Sequence, residues 1–281
     1  MVSSSMFSSP RTSSSGGGPR LCGPDRGTPA SGPALPPARR RIRTYVLRSG
    51  RLSAAQKRAY DTWSSRYCVP FSAVPVDFAA LFGNSHPVTV EIGFGMGRAT
   101  ARIAQENGDR NYLGIEVHRP GIGRLLWEIE KRSLVNIRIV EHDAVETLEK
   151  MTGGGSAAAF HIFFPDPWPK KRHHKRRLVT RPFTGLLAEK LRSGGYIYMV
   201  TDSEDYARWA LAELSATEGL RNPYASEAAA CGVAGGLVES FAGDFAGGFA
   251  PPQPWRPPTE FEAKGLAKGH GIWELYFVKN T

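Results

Sequence analysis

The chain has 281 residues, 36 Lys+Arg against 26 Asp+Glu, and a formal net charge of +10. No run of about 18 apolar residues occurs, so no transmembrane helix is expected. Its three cysteines, Cys22, Cys68 and Cys231, lie far apart with no CxxC pair, which argues against a disulfide framework or a zinc site and fits a reducing, cytoplasmic compartment.

The charge is concentrated. Residues 1–51 hold nine arginines and one acid, and residues 170–177 hold six Lys/Arg and no acid, leaving −4 on the rest. Two basic blocks on a mildly acidic body favour a polyanion partner, nucleic acid or an anionic membrane surface.

Residues 1–38 are mostly Ser, Gly and Pro with a few Arg. Such a stretch buries too little apolar surface to offset its ordering entropy, so it reads as a disordered tail ahead of a single domain at 39–281. The Ser/Arg richness also resembles an organelle transit peptide, but the Pro and Gly density works against the amphipathic helix such peptides need. Order is expected to begin near Arg41–Leu47. Ser53-Ala54-Ala55-Gln56 is a capping-box pattern and predicts a helix from Ala54 to about Tyr67.

From residue 88 the chain alternates. Short β-branched runs at 88–92, 112–117, 136–140, 159–164 and 195–201 are separated by helix-length segments at about 97–107, 120–132, 144–150, 180–192 and 203–216. That spacing predicts an α/β, Rossmann-like fold, a mostly parallel sheet with helices on both faces. Ligands then bind beyond the carboxyl ends of the strands. A Gly/Ala/Pro-rich insertion occupies about 222–258, and Gly271–Lys279 alternates like a last strand, with an antiparallel placement.

The first strand runs into Glu91-Ile92-Gly93-Phe94-Gly95-Met96-Gly97. Glycines in a strand-to-helix turn let a ligand approach the backbone. The spacing is GxGxG, not the GxGxxG of a dinucleotide site, so a nicotinamide oxidoreductase is the weaker reading. The turn resembles that of S-adenosylmethionine-dependent methyltransferases. Glu116 ends the second strand, where a carboxylate can accept both ribose hydroxyls of a nucleoside-like ligand. Asp143 follows the third and can either accept from an adenine amino group or N-cap the next helix. Glu91 suits a cationic ligand, ammonium or sulfonium.

Phe163-Phe164-Pro165-Asp166-Pro167-Trp168-Pro169-Lys170-Lys171-Arg172-His173-His174-Lys175-Arg176-Arg177 follows the fourth strand. Its prolines force an extended exit that fixes Asp166 beside the pocket. Trp168 offers a flat face for a base. Lys171, Arg172, Lys175, Arg176 and Arg177 are expected to contact RNA phosphates. Adjacent histidines without a third ligand at metal spacing give no metal site.

These strings resemble the bacterial-type tRNA (guanine-N7)-methyltransferases, the TrmB family, over about residues 41–221 and 255–279. The hallmark is Pro-Asp-Pro-Trp-Pro-Lys-Lys-x-His-x-Lys-Arg-Arg, with Arg43-x-Tyr45-Val46-Leu47-Arg48 and Thr259-x-Phe261-Glu262 also matching. The resemblance implies a class I methyltransferase that uses S-adenosylmethionine to methylate N7 of guanosine 46 in the tRNA variable loop, as a monomer or homodimer without an obligatory protein partner. It implies cofactor contacts at Glu91, Glu116, Asp143 and Asp166, with the glycine turn at Gly93, Gly95 and Gly97. Asp166 is the implied catalytic residue, and Lys170, Asp202 and Thr259-Glu260-Phe261-Glu262 are implied substrate contacts. Asp202 can also N-cap the helix after it, and Thr259-x-x-Glu262 is also a capping box. The rival readings are an RNA-binding protein of the same fold and a methyltransferase with another target. No feature calls for a membrane.

Overall fold

The computed structural model describes residues 42–45, 50–225 and 247–281. The expected tail at 1–38, Val46 and Leu47 of the ordered onset, and most of the 222–258 insertion lie outside the described residues.

Helix α1, Ala54–Tyr67, starts at the expected capping box: the Ser53 hydroxyl accepts from Gln56 N, and the Gln56 side chain accepts from Ser53 N. The short α2, Phe78–Phe82, is capped by the Asp77 carboxylate. Then come β1 Val88–Ile92, α3 Arg98–Glu106, β2 Asn111–Ile115, α4 Arg119–Arg132, β3 Ile137–Val140, α5 Ala144–Met151 and β4 Ala157–Phe163. The second half holds α6 Arg181–Lys190, β5 Leu191–Thr201, α7 Glu204–Ser215, β6 Leu220–Arg221, α8 Glu260–Leu266 and β7 Trp273–Lys279.

The sheet order is β3-β2-β1-β4-β5-β7-β6. Strands β1 to β5 pair in parallel, and β7 runs antiparallel between β5 and β6. The α/β alternation and the antiparallel last strand are as the sequence indicates. The two-residue β6 is too short to leave a sequence pattern.

Strands β1, β2 and β4 are buried on both faces, and a hydrophobic core lies on each side of the sheet. On one face, Val90, Leu113, Ile115, Phe160 and Ile162 pack with Leu148, Leu187 and Ala210, from α5, α6 and α7. On the other, Tyr112, Ile137, Ile139 and Tyr198 pack with Ala59, Ile103 and Leu125, from α1, α3 and α4. Covering an apolar sheet on both sides is what makes the parallel arrangement stable, each large buried side chain contributing roughly 1.5–3 kcal/mol.

The chain order reverses between β1 and β4, which are neighbours in the sheet. The helices after β1 and β4 therefore leave in opposite directions and open a crevice at the strands' carboxyl ends. The register Glu91↔Gly114, Ile115↔Val140, Glu91↔His161 and Phe163↔Val200 puts the ends of all five parallel strands at one edge. Among the described residues, no helix is long and apolar enough to cross a membrane.

Candidate active site

Gly93, Gly95 and Gly97 all have positive φ, 74°, 56° and 67°. A side chain there would be strained, and the turn tightens between β1 and α3 because glycine carries none. A Cβ on Gly93 or Gly95 would meet nothing within 4 Å, so the turn presents bare backbone to open space. Behind it, α4 comes so close that a Cβ on Gly121 would lie 2.0 Å from the Gly95 carbonyl oxygen.

Glu116 fixes the turn from the β2 end. One carboxylate oxygen accepts from Gly95 N at 2.9 Å, the other from Val117 N at 2.7 Å and His118 N at 3.0 Å. Three backbone donors hold the carboxylate in one orientation and leave lone pairs for a ligand, since an ionised carboxylate has about four acceptor sites.

Glu91 is 2% exposed, and its Oε2 has no hydrogen-bond partner among the described residues. Burial, with a further push from the Glu116 charge, raises its pKa to about 7. A buried carboxylate oxygen without a donor is costly. A cation delivered to it would both satisfy the oxygen and stabilise its ionised form. The bare glycine backbone, the oriented Glu116 and the orphaned Glu91 oxygen together fit a cationic nucleoside such as S-adenosylmethionine.

Asp143 is the N-cap of α5, its Oδ1 accepting from Glu146 N at 3.0 Å. Tyr45 lies near it: burial and then the Asp143 charge raise the phenol's pKa.

The chain leaves β4 through two non-glycine residues of positive φ, Phe164 at 50° and Trp168 at 45°. They bracket Pro165-Asp166-Pro167. Such backbone costs roughly 1–3 kcal/mol per residue and persists only where the surroundings over-determine it. The anchors are visible. Phe164 N donates to Val200 O at 2.8 Å, Trp168 Nε1 to Thr44 O at 3.2 Å, and Arg177 Nε to Pro167 O at 3.0 Å. Asp166 itself is exposed, and no described residue donates a hydrogen bond to its carboxylate.

Lys171–Arg176 forms a 3₁₀ helix with no buried residue. Lys170, Lys171, Arg172, Lys175 and Arg176 are exposed around the Asp166 loop. The expected stacking face of Trp168 is partly taken, because the Arg176 guanidinium sits 4.9 Å from its ring centre.

Arg177 corrects the sequence reading. It is 1% exposed and turned inward, bonded to the Asp205 carboxylate and Pro167 O and packed on the rings of Tyr206 and Trp209. It anchors the signature loop to α7 and is not placed to meet a phosphate. A run of basic letters gives no hint of this, since the partner, Asp205, is 28 residues away.

The last segment closes over the same edge. Thr259 and Glu262 make the capping box of α8. Glu260 pairs with Arg98, the first residue of α3. The Phe261 ring packs 5.2 Å from that of Phe164. Asp202 does not cap α7, which is capped by Ser203; its Oδ2 lies 3.3 Å from His270 Nδ1.

Glu262 is a second correction. Its carboxylate is buried and fully engaged, by Arg256 at 2.6 and 2.8 Å and by Thr259 N, so it holds structure and does not face a substrate. Arg256 also donates to Glu274 Oε1 at 2.8 Å and to the Tyr198 hydroxyl at 3.1 Å. Just before it, Trp255 stacks on the buried His161 of β4, ring centres 4.8 Å apart. The links made by Arg256, Glu274, Tyr198 and Arg98 were not legible in the sequence, because no local pattern joins any of them to its partner.

Residues 85–234 match the model of a family described as "Putative methyltransferase". A protein of Neisseria meningitidis serogroup A named "tRNA (guanine-N(7)-)-methyltransferase" is 46% identical over 240 residues, 85% of this chain and 92% of that protein. Proteins of the same name from Ralstonia nicotianae (46% over 243 residues, 86% and 88% covered) and Paraburkholderia xenovorans (44% over 241 residues, 86% and 84% covered) are similarly related.

Proposed function

The chain belongs to the tRNA (guanine-N(7)-)-methyltransferase family, of class I methyltransferase fold, and on that premise we propose that it methylates N7 of guanosine 46 in tRNA. The observation that carries the reading is the juxtaposition at one sheet edge of a pocket for a cationic nucleoside, an exposed carboxylate on a strained rigid loop, and a rim of exposed Lys and Arg. S-adenosylmethionine, when bound, supplies an electrophilic sulfonium methyl group.

Within the chain the tasks divide. Glu91 offers a buried negative charge to the cofactor's cationic end. Glu116 presents an oriented carboxylate to the ribose hydroxyls, Asp143 an acceptor at the base, and the backbone of Gly93, Gly95 and Gly97 the close approach. Asp166 stands where the guanine must enter. Guanine N7 carries an in-plane lone pair and no proton, so its methylation requires no general base. The purine becomes cationic as the bond forms. A fixed carboxylate beside the ring stabilises that charge and orients the base through its N–H edge. Phe261, beside Phe164, adds an apolar face at the same mouth, while Thr259, Glu260 and Asp202 line the α8 side.

Lys170, Lys171, Arg172, Lys175 and Arg176 grip the tRNA phosphates around the reacting base. The affinity for tRNA should fall steeply with salt. Removing any one of Lys171, Arg172, Lys175 or Arg176 should reduce the slope of log K against log[salt] by about 1. Arg177→Met should leave that slope unchanged. It should instead lower thermal stability, by about 2 kcal/mol for a charged hydrogen bond lost from a buried site, and lower turnover by loosening Pro167. Filter-binding titrations at several salt concentrations decide this: an Arg177→Met slope reduced as much as that of Arg176→Met would restore the phosphate-contact reading of Arg177. Nucleoside analysis of tRNA treated with the enzyme and S-adenosylmethionine tests the reaction itself.

We further propose that the active unit is the domain from about residue 39 onward, acting in the cytoplasm, and that residues 1–38 are dispensable for methyl transfer.

A further inference from the structure

Helix α8 carries Glu260 and Phe261 to the site, yet little apolar packing holds it. It is seven residues long, its buried residues are Glu262 and Gly265, and its large apolar side chains Phe261 and Leu266 are 55% and 53% exposed. A helix this short is not stable by itself. What ties it down is polar. Glu262 is gripped by both terminal nitrogens of Arg256, and the same guanidinium reaches Glu274 of β7 and Tyr198 of β5, two adjacent interior strands of the sheet. Tyr198 in turn bonds Glu274. All four side chains are buried. The planar guanidinium supplies these four N–H bonds from a single fork, which a lysine ammonium cannot match.

We propose that Arg256 is a positioning residue for the methyl-transfer reaction. It references α8 to the rigid sheet, so that Glu260 is held against Arg98 beside the glycine turn and Phe261 against Phe164 beside Asp166. The inference rests on the methyltransferase reading above, and it adds how the substrate side of the site is set in place. Arg256 is buried and acts on the site only through its partners: it holds α8 through Glu262 and is itself held to the sheet by Glu274 and Tyr198.

The network contains one cation and two carboxylates. Glu274→Gln therefore leaves a balanced Arg256–Glu262 pair, and its amide oxygen can still accept from Arg256 while Tyr198 keeps its own bond, so α8 stays tethered to the sheet. Arg256→Lys keeps the charge but loses the fork. Both variants should fold, and both should bind S-adenosylmethionine within about twofold of wild type by calorimetry. With unmodified tRNA, Arg256→Lys should lose at least about tenfold in kcat/KM for tRNA, with KM raised as well as kcat lowered. Glu274→Gln should stay within about threefold of wild type.

Equal losses in the two variants, tracking their stability, would reduce Arg256 to a structural residue and overturn the proposal, as would wild-type kinetics in Arg256→Lys. Should Arg256→Lys fail to bind the cofactor, the neutral double variant Arg256→Gln/Glu262→Gln replaces it; near wild-type kcat/KM there overturns the proposal and a tenfold loss supports it. The parallel wild-type reaction separates the two readings. Absence of 7-methylguanosine with wild-type enzyme is a failure of the proposed activity, whereas product formed equally well by wild type and Arg256→Lys is a failure of the positioning role alone.

Discussion

Replacing Asp166 with alanine is expected to lower kcat for tRNA methylation by on the order of 10²-fold, the scale seen when one preorganised electrostatic group is removed from an active site. The expectation follows from how the loop is built. Its carboxylate is exposed and receives no hydrogen bond from a described residue, so no described residue depends on it as an acceptor. Its backbone, by contrast, is bracketed by the positive-φ residues Phe164 and Trp168 and pinned by Val200 O, Thr44 O and Arg177. Strain held around a side chain with no structural task points to a functional one. Thermal stability should therefore change little, since the substitution breaks no internal contact. Asp166→Asn should retain more activity than the alanine variant, because it keeps a polar group on the base edge while losing the charge. A single-turnover assay separates the chemical step from tRNA binding. Asp166→Ala turnover close to wild type would remove Asp166 from the mechanism.

The second large effect is expected at Glu91. Glu91→Gln should weaken S-adenosylmethionine binding by roughly 10–100-fold, the equivalent of one hydrogen bond to a charged group at about 1.5–3 kcal/mol. Binding to the wild-type protein should strengthen as pH rises through about 7, where Glu91 ionises, and binding to the variant should be flat there. The unliganded protein should behave in the opposite sense. The folded-state pKa is raised from 4.5 to about 7, so the folded state holds this proton more tightly than the unfolded chain does. The associated stability is fully present below about pH 4.5 and lost as pH rises to about 7. At about 1.4 kcal/mol per pKa unit this is on the order of 3 kcal/mol. Glu91→Gln carries no such proton, so above pH 7 the apo variant should be the more stable protein. Denaturant melts of both proteins at pH 5 and pH 8 check the sign; a wild-type protein that gains stability relative to Glu91→Gln between those values would contradict it.

Much of the framework around this candidate site was legible in the sequence because its parts are local. A capping box is a four-residue pattern, and Ser53 to Gln56 placed the start of α1. A glycine turn is contiguous, and Gly93, Gly95 and Gly97 all take the left-handed backbone that only glycine adopts cheaply. The strand-to-helix alternation from residue 88 set the parallel order, and that order placed Glu91, Glu116, Asp143 and Asp166 along one edge.

Non-local pairing was not legible. Arg177 reads as one more letter in a basic run, yet Asp205 and a sheath of aromatic rings draw it inside. Glu262 reads as a site acid, yet Arg256 claims both its oxygens. Asp202 sits one residue before α7, but Ser203 takes the cap. In each case two chemically reasonable roles competed for one side chain, and the observed partners, Asp205, Arg256 and His270, are ones that no local pattern links to it.

Methyl transfer to N7 of one guanosine in the variable loop, by the pocket at the β1–β4 crevice with the basic rim as RNA grip, is the expected reaction. The most direct measurement incubates the purified full-length chain with labelled S-adenosylmethionine and two unmodified transcripts of one tRNA, bearing guanosine or adenosine at position 46, followed by digestion and nucleoside analysis. Label in 7-methylguanosine with the first transcript and none with the second is the expected result. Label in another nucleoside, equal label in both transcripts, or no label in RNA would contradict it.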